Sequence, residues 1–155
     1  MIDNLLRRAA YLADKLFRQR RGDFRTMLWL TQHADGTVAQ FETTCSAPEG
    51  IDDDAALAAL RAELAADFEH DGVRAYACAY SARVTFVGVG CAPLATSGSI
   101  RRRAVVVEAH DRVSGLIGVR DIIADARPHL GMLQQSVRAS GRFGGLLGCE
   151  RGEAA

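Results

Sequence analysis

The sequence predicts an α+β fold, with two helices and a largely antiparallel sheet of five or six strands. Two long segments carry apolar residues at helical spacing, and several shorter ones are apolar or alternating and end in glycine-containing turns. The predicted order is helix, two strands, helix, three strands. We expect a single α+β domain over residues 1–125, then an edge segment and a Gly-rich C-terminal tail over residues 126–155.

Composition and charge narrow the class of protein. Apolar residues make up 48% of the chain, and 19 Lys and Arg residues balance 19 Asp and Glu residues. This balance is typical of a globular protein and argues against nucleic acid or a membrane as the main partner. The N-terminus lacks the apolar core of a signal peptide. The four cysteines form no C-x-x-C pair, which is typical of free thiols in a reducing compartment, so a cytoplasmic protein is predicted.

The first helix is predicted from one apolar stripe. Its members recur at three- and four-residue spacing: Ile2, Leu5, Leu6, Ala9, Leu12, Ala13, Leu16 and Phe17. Asp3 or Asn4 could cap the start of this helix, and Gly22 could end it.

A hairpin should follow, because Asp35-Gly36 is typical of a two-residue turn. Pairing outward from that turn places Leu30 opposite Phe41 and Trp29 opposite Glu42. Leu28 and Leu30 then share the core side of the hairpin.

The second helix is predicted within "DDDAALAALRAELAADFEHDG". Its three aspartates suit the positive end of a helix dipole, and their consecutive spacing favours capping over a metal site. The buried stripe consists of Leu57, Leu60, Leu64 and Phe68. Gly72 should end the helix.

The next strand, "VRAYACAYSARVTF", divides its side chains by size. Three alanines point to one side, which would let a helix approach closely, so the second helix is predicted there. The other side carries the larger residues Tyr76, Cys78, Tyr80, Val84 and Phe86. A Gly/Ser/Pro loop of about a dozen residues follows, a length that predicts either a functional or a mobile segment.

The last hairpin, "VVVEAHDRVSGLIGVRDII", contains the polar candidates. A three-residue turn that ends at a left-handed Gly115 sets Glu108 opposite Arg120 and His110 opposite Gly118. Glu108 and His110 then share one face, and Asp111 lies on the other.

Glu108 and His110 could form an acid–base pair, or half of a metal site completed by His129 or His33. The alternative, which we favour, is a cross-strand ion pair beside a partly exposed histidine. Cys78 is a candidate nucleophile with His110 as its base, but its mid-strand position favours a packed thiol. No motif predicts a cofactor or a bound metal.

The aromatic side of the sheet carries more apolar area than a monomer leaves exposed. Three alternatives could cover this side: the first helix, a homodimer or other protein partner at Trp29, Tyr76 and Tyr80, or a ligand bound in a cleft. The predicted binding residues are Met27, Trp29, Tyr76, Tyr80, Phe86 and Arg120.

The order of elements and the pattern "GDF…ADG…DDDAALAALRAELA…GVRAYACAYSARVTF…VVVEAHD" resemble a set of small uncharacterised bacterial proteins of similar length. The resemblance spans roughly Arg8 to Asp125 and concerns layout, so it implies no activity and no site residue. We predict a non-enzymatic binding or protein-interaction module that uses the aromatic side of the sheet. The alternatives are a small hydrolase or metal-dependent enzyme that uses Glu108 and His110, and a weak RNA binder that uses two arginine clusters, residues 18–21 and 101–103, together with the tail "GRFGG".

Overall fold

The computed structural model describes residues 2–45, 50–87, 99–136 and 141–148. The helices are α1 (Ile2–Gln19) and α2 (Asp54–Asp71), the latter preceded by a 3-10 turn (Gly50–Asp52). The strands are β1 (Met27–His33), β2 (Val38–Thr43), β3 (Val73–Val87), β4 (Ser99–His110), β5 (Gly115–Ile123), β6 (His129–Leu130) and β7 (Gln134–Ser136). The predicted α+β fold with two helices is confirmed, whereas the Gly/Ser/Pro loop between β3 and β4 lies outside the described residues.

The sheet has the order β2-β1-β3-β4-β5-β6, and all of its neighbouring strands are antiparallel. The short strand β7 also pairs with β5, on the edge that β6 occupies. The predicted edge segment after residue 125 is therefore made of two short strands. The division into a domain and a tail at that residue stays a prediction.

Helix α1 covers the side of the sheet that bears the alanines, which we call the alanine face. Seven residues of α1 are buried, and they pack against Leu28, Leu30, Ala75, Ala77, Ala79, Val105, Val107 and Ala109. The prediction that the second helix lies here was wrong. The wide stripe of α1 matches this long flat face, whereas α2 fully buries only Leu64 and Phe68 and lies on the other side.

Helix α2 begins and ends as its sequence predicts, whereas α1 begins at Ile2, so the predicted caps Asp3 and Asn4 lie inside its first turn. The Asp53 side chain accepts a 2.9 Å hydrogen bond from the backbone N–H of Ala56, which confirms capping by the aspartates. Gly72 ends α2 with a φ of 65°, and Gly22 follows α1 with a φ of 87°. These left-handed conformations favour glycine.

The first hairpin pairs one residue away from the predicted register. Trp29 lies opposite Phe41, not Glu42, and the two rings stack with centroids 6.2 Å apart. The Asp35 carboxylate accepts hydrogen bonds from the Thr37 N–H and hydroxyl, at 3.0 and 2.6 Å. Within this turn only Gly36 has a positive φ, whereas the predicted two-residue turn needs two such residues. The loop accordingly has one residue more than predicted.

The last hairpin differs from its predicted register by more. Glu108 lies opposite Ile117, and His110 lies opposite Gly115, the first residue of β5. The Asp111 carboxylate accepts hydrogen bonds from the Val113 and Ser114 N–H groups, which gives a longer turn than predicted.

The predicted pair of Glu108 and Arg120 was therefore wrong. Arg120 donates a 2.7 Å hydrogen bond to the Gly131 carbonyl and lies 3.6 Å from the Asp14 carboxylate of α1. Ile122, predicted beside the aromatic residues, packs against the α1 cluster instead. The odd shift in register moved both side chains to the alanine face.

Candidate functional site

The side of the sheet opposite α1, which we call the aromatic face, is covered by the chain itself. Its residues Met27, Trp29, Tyr76, Cys78 and Tyr80 are each at most 3% exposed. The cover consists of α2, the 3-10 turn and residues 141–148, which we call the strap. The first helix, which we considered for this role, does not contribute to it, and the side chain of Phe86 lies outside the described part of the structure.

The strap inserts one aromatic ring into the face. The Phe143 ring is fully buried, with its centroid 5.1 Å from that of Trp29 and 5.2 Å from that of Tyr80. Both contacts are edge-to-face, at interplanar angles of 85° and 73°. This arrangement is favoured by the charge distribution of aromatic rings. Leu146, the other buried side chain of the strap, joins the same cluster.

Side chains of β3 and β4 hold the strap by its backbone. The Glu108 carboxylate accepts hydrogen bonds from the N–H groups of Arg142 at 2.9 Å and Phe143 at 3.3 Å. The Tyr76 hydroxyl donates to the Phe143 carbonyl and accepts from the Leu146 N–H, the latter at 3.2 Å.

Helix α2 and the 3-10 turn add contacts from the opposite side. The Arg61 guanidinium donates to the carbonyls of Arg142 at 2.5 Å and Gly144 at 2.8 Å. The Arg142 side chain forms a 2.6 Å ion pair with Asp52 and also donates to the Ile51 and Arg83 carbonyls. The strap is thus bound on both sides by polar side chains.

Glu108 is the polar centre of this site. It is fully buried, and besides the strap it accepts hydrogen bonds from the Tyr80 hydroxyl and from Nε2 of His110, the latter at 2.8 Å. Burial by itself would raise the pKa of Glu108, but the hydrogen bonds from His110 and Tyr80 outweigh it and hold the pKa below its ordinary value. The site therefore contains a charged carboxylate surrounded by donors.

The neighbouring acidic groups keep their protons. Burial raises the pKa of the Tyr80 and Tyr76 hydroxyls, which stay neutral donors. Burial, and then the charge of Glu108, raise the pKa of Cys78 well above its ordinary value. Cys78 lies directly opposite Glu108 and is fully buried, so it is a packed thiol rather than an activated nucleophile.

The predicted additional ligands are not brought to Glu108. His33 lies 3.2 Å from the Asp71 carbonyl, and His129 lies 3.0 Å from the Arg127 carbonyl. Across the described ranges, no three His, Cys, Asp or Glu side chains come together in a group that could bind a metal. The predicted pairing of Glu108 with His110 on one face is the part that the structure brings together.

No protein-family model, curated protein or solved structure matches this chain. The likeness of layout to small bacterial proteins therefore assigns no family. Among the described residues, no helix is both long and apolar enough to cross a membrane. What the site does must be inferred from its own geometry.

Arg61 and the strap residues of this site were missed by the sequence analysis; the latter include Gly141, Arg142, Phe143 and Leu146. Arg61 lies on the apolar stripe of α2, between Leu57 and Leu64. A charged side chain on a buried stripe needs a polar partner, so its position indicated a contact with another part of the chain. Phe143 was assigned to a Gly-rich tail, although a single aromatic among glycines can mark a docked segment. Gly141 left no signal, because its role depends on how close the chain passes to Glu108.

Proposed function

We propose that this protein is a non-enzymatic binding protein whose aromatic face holds a short peptide segment, with its own strap as the resident occupant. One observation carries the proposal. Side chains of the body of the protein bind six backbone polar groups of the strap: the N–H groups of Arg142, Phe143 and Leu146, and the carbonyls of Arg142, Phe143 and Gly144.

This mode of contact is one by which proteins can bind peptides. Fixed polar groups satisfy the backbone, and a pocket accepts one large side chain. The groups here come from three elements: Arg61 from α2, Tyr76 from β3 and Glu108 from β4. None of these contacts depends on the strap being part of the same chain, so a segment of another protein with similar chemistry would be held in the same way.

The strap would act as a competitor for such a partner. A tethered segment is present at an effective concentration of about 1 mM, so an external segment must bind more tightly or be linked to further contacts. An open groove of about 1050 Å³ adjoins the strap at Leu146 and Leu147 and is also lined by Arg74 and Arg112. It gives a partner room for contacts beyond the cleft.

The partner is another protein or a second copy of this chain, and its binding would expose the strap. The free thiols of Cys45 and Cys78 support a place in the cytoplasm. RNA binding has less support, because Arg18 pairs with Asp14, and Arg20 pairs with Glu42.

The experiment uses the full chain with Gly141→Ala. A Cβ at this position would overlap the Glu108 carboxylate, so the strap should leave while the cleft stays intact. Gly131→Ala is the matched control, because its Cβ would be 3.6 Å from its nearest neighbour, Asp121, an ordinary contact distance. The chain has one tryptophan, Trp29, whose fluorescence reports on the cleft.

We expect the Trp29 emission to shift to longer wavelength in Gly141→Ala and to stay unchanged in Gly131→Ala. Adding the octapeptide GRFGGLLG should restore the emission saturably in Gly141→Ala, with much weaker binding to the wild type. A folded Gly141→Ala protein that does not bind the octapeptide would overturn the proposal. If Gly141→Ala does not fold, Phe143→Ala serves instead, because its strap has lost the ring that anchors it and the octapeptide can displace it. Concentration-dependent dimers of the wild type that the octapeptide dissociates would identify a second copy as the partner.

A second candidate is supported by the contact of His110 with Glu108. The carboxylate orients the ring through Nε2, and Nδ1 is the ring nitrogen that would exchange a proton with a substrate. An activity screen with His110→Gln decides between the two functions. Hydrolytic activity that this substitution removes, in a protein that still binds the octapeptide, would favour an enzyme.

A further inference from the structure

We infer that the segment which the cleft accepts has the order glycine, arginine, aromatic residue, small residue, glycine. This rests on the proposed function and names the class of partner: an irregular, glycine- and arginine-rich segment with an embedded aromatic residue. Five positions of the strap set this order, each through its own contact or backbone conformation.

The first position requires glycine because of Glu108. A Cβ on Gly141 would overlap both carboxylate oxygens and the carbon between them. The carboxylate has no room to move away, since Tyr80 and His110 hold it from the other sides. Any side chain at this position of an incoming segment would break the contacts that bind the next two N–H groups.

The second position favours arginine over an acidic residue. Its guanidinium reaches Asp52 at 2.6 Å and two carbonyls, those of Ile51 and Arg83, at 3.3 Å each. These three acceptors come from the 3-10 turn and from β3, and each presents a full or partial negative charge. A planar group with several donors satisfies all three, which a carboxylate would not.

The third position requires a flat apolar ring. Phe143 is enclosed by Trp29 and Tyr80 in edge-to-face contact and has no exposed surface. A smaller side chain would leave a cavity between these rings.

The fourth position takes a small residue and the fifth takes glycine. A Cβ on Gly144 would lie 3.4 Å from Cε1 of His110, an ordinary contact distance, so a methyl group would fit beside the ring. Gly145 has a φ of 80°, which side chains disfavour, and it begins the turn in which the Gly148 N–H donates to the Gly145 carbonyl. The segment therefore enters past Glu108, inserts its ring and turns away.

The test compares four octapeptides on the full-length Gly141→Ala protein, with Trp29 emission and calorimetry as readouts. The reference is GRFGGLLG, and the others carry the changes corresponding to Gly141→Ala, Arg142→Glu and Phe143→Ala. We expect each change to weaken binding by about tenfold or more, because each removes a buried contact or adds an overlap. A fifth peptide with the change corresponding to Leu147→Met is the matched control, because it keeps the apolar contact of this half-buried side chain with the cluster, and it should bind within about threefold of the reference.

The outcomes separate this inference from the proposed function. If no peptide binds, the proposed function fails and the inference fails with it. If all five bind within about twofold, the cleft holds peptides without this preference, and only the inference is overturned. If Gly141→Ala does not fold, the same series is measured on Phe143→Ala, and the same outcomes decide.

Discussion

The backbone N–H of Arg142 donates a 2.9 Å hydrogen bond to the carboxylate of Glu108, 34 positions earlier in the chain. Through this hydrogen bond, the charged carboxylate of Glu108 on the central strand β4 holds the strap against the aromatic face. A buried carboxylate costs several kcal/mol unless donors surround it, and two of its donors belong to the strap. The stability of the aromatic face and the position of the strap are therefore coupled.

Glu108→Gln should destabilise the protein by about 3 kcal/mol. The groups that face this side chain from Tyr80, Arg142 and Phe143 are donors, so an amide NH₂ would meet donors where the carboxylate accepts. The urea midpoint measures the change. Glu63→Gln, on the exposed side of α2, is the control and should change stability by less than about 0.5 kcal/mol. Equal effects of the two substitutions would contradict the role of Glu108.

Stability should fall in acid in a way that depends on Glu108. The pKa of this group lies below its ordinary value of 4.5 in the folded protein, so the unfolded chain takes up a proton first as the pH falls. The stability from this group is fully present above about pH 5 and is lost as the pH falls through the lower, folded pKa. Urea unfolding between pH 3 and pH 7 should show a steeper decline for the wild type than for Glu108→Gln. Parallel curves would exclude this source of acid sensitivity.

The sequence was sufficient for the fold and for part of the site. Periodicity predicted α1 and α2, and the caps predicted both ends of α2, because these are local properties, and the large side chains of β3 predicted an aromatic face. The hairpin registers were wrong because the carboxylates of Asp35 and Asp111 each bind turn N–H groups and lengthen the loop. Such bonds follow from backbone geometry that residue types alone leave open.

The cover of the aromatic face could not be predicted for a different reason. Phe143 and Arg61 lie far apart in the chain. The hydrogen bond from Arg61 to the strap and the insertion of the Phe143 ring beside Trp29 both depend on a long-range closure, which their local signals do not specify. The pairing of Glu108 with His110 needed only the alternation of a strand, so it could be predicted even though their cross-strand partners were wrong.

Cys78 should resist alkylation in the native protein. Its thiol is fully buried, and burial followed by the charge of Glu108 raises its pKa, so almost no thiolate is present or reachable. Iodoacetamide labelling with peptide mass spectrometry measures this directly. Cys45 is partly exposed and should be modified first, whereas Cys78 should react only in denaturant. Native labelling of Cys78 at the rate of Cys45 would show that the strap opens freely.

Phe143→Ala should destabilise the protein by about 3–5 kcal/mol, because it removes a fully buried ring from between Trp29 and Tyr80. Trp29 emission should also shift as water enters the vacated space. Met132→Ala, at a side chain that is 86% exposed, should leave both the urea midpoint and the emission unchanged. If Phe143→Ala costs no more than the control, the strap does not contribute to the core.

Gly115→Ala and Gly118→Ala form a matched pair on β5 that tests the position of the His110 ring. A Cβ on Gly115 would lie 2.5 Å from Nδ1 of His110, whose ring is held by Glu108 and packs against Tyr76. A Cβ on Gly118 would meet only the flexible end of the Leu133 side chain, which can move. We therefore expect Gly115→Ala to cost about 1–3 kcal/mol and Gly118→Ala to cost clearly less. Because the displaced ring would pull on Glu108, Gly115→Ala should also shift the Trp29 emission. If Gly118→Ala lowers the urea midpoint more than Gly115→Ala does, the His110 ring is free to move.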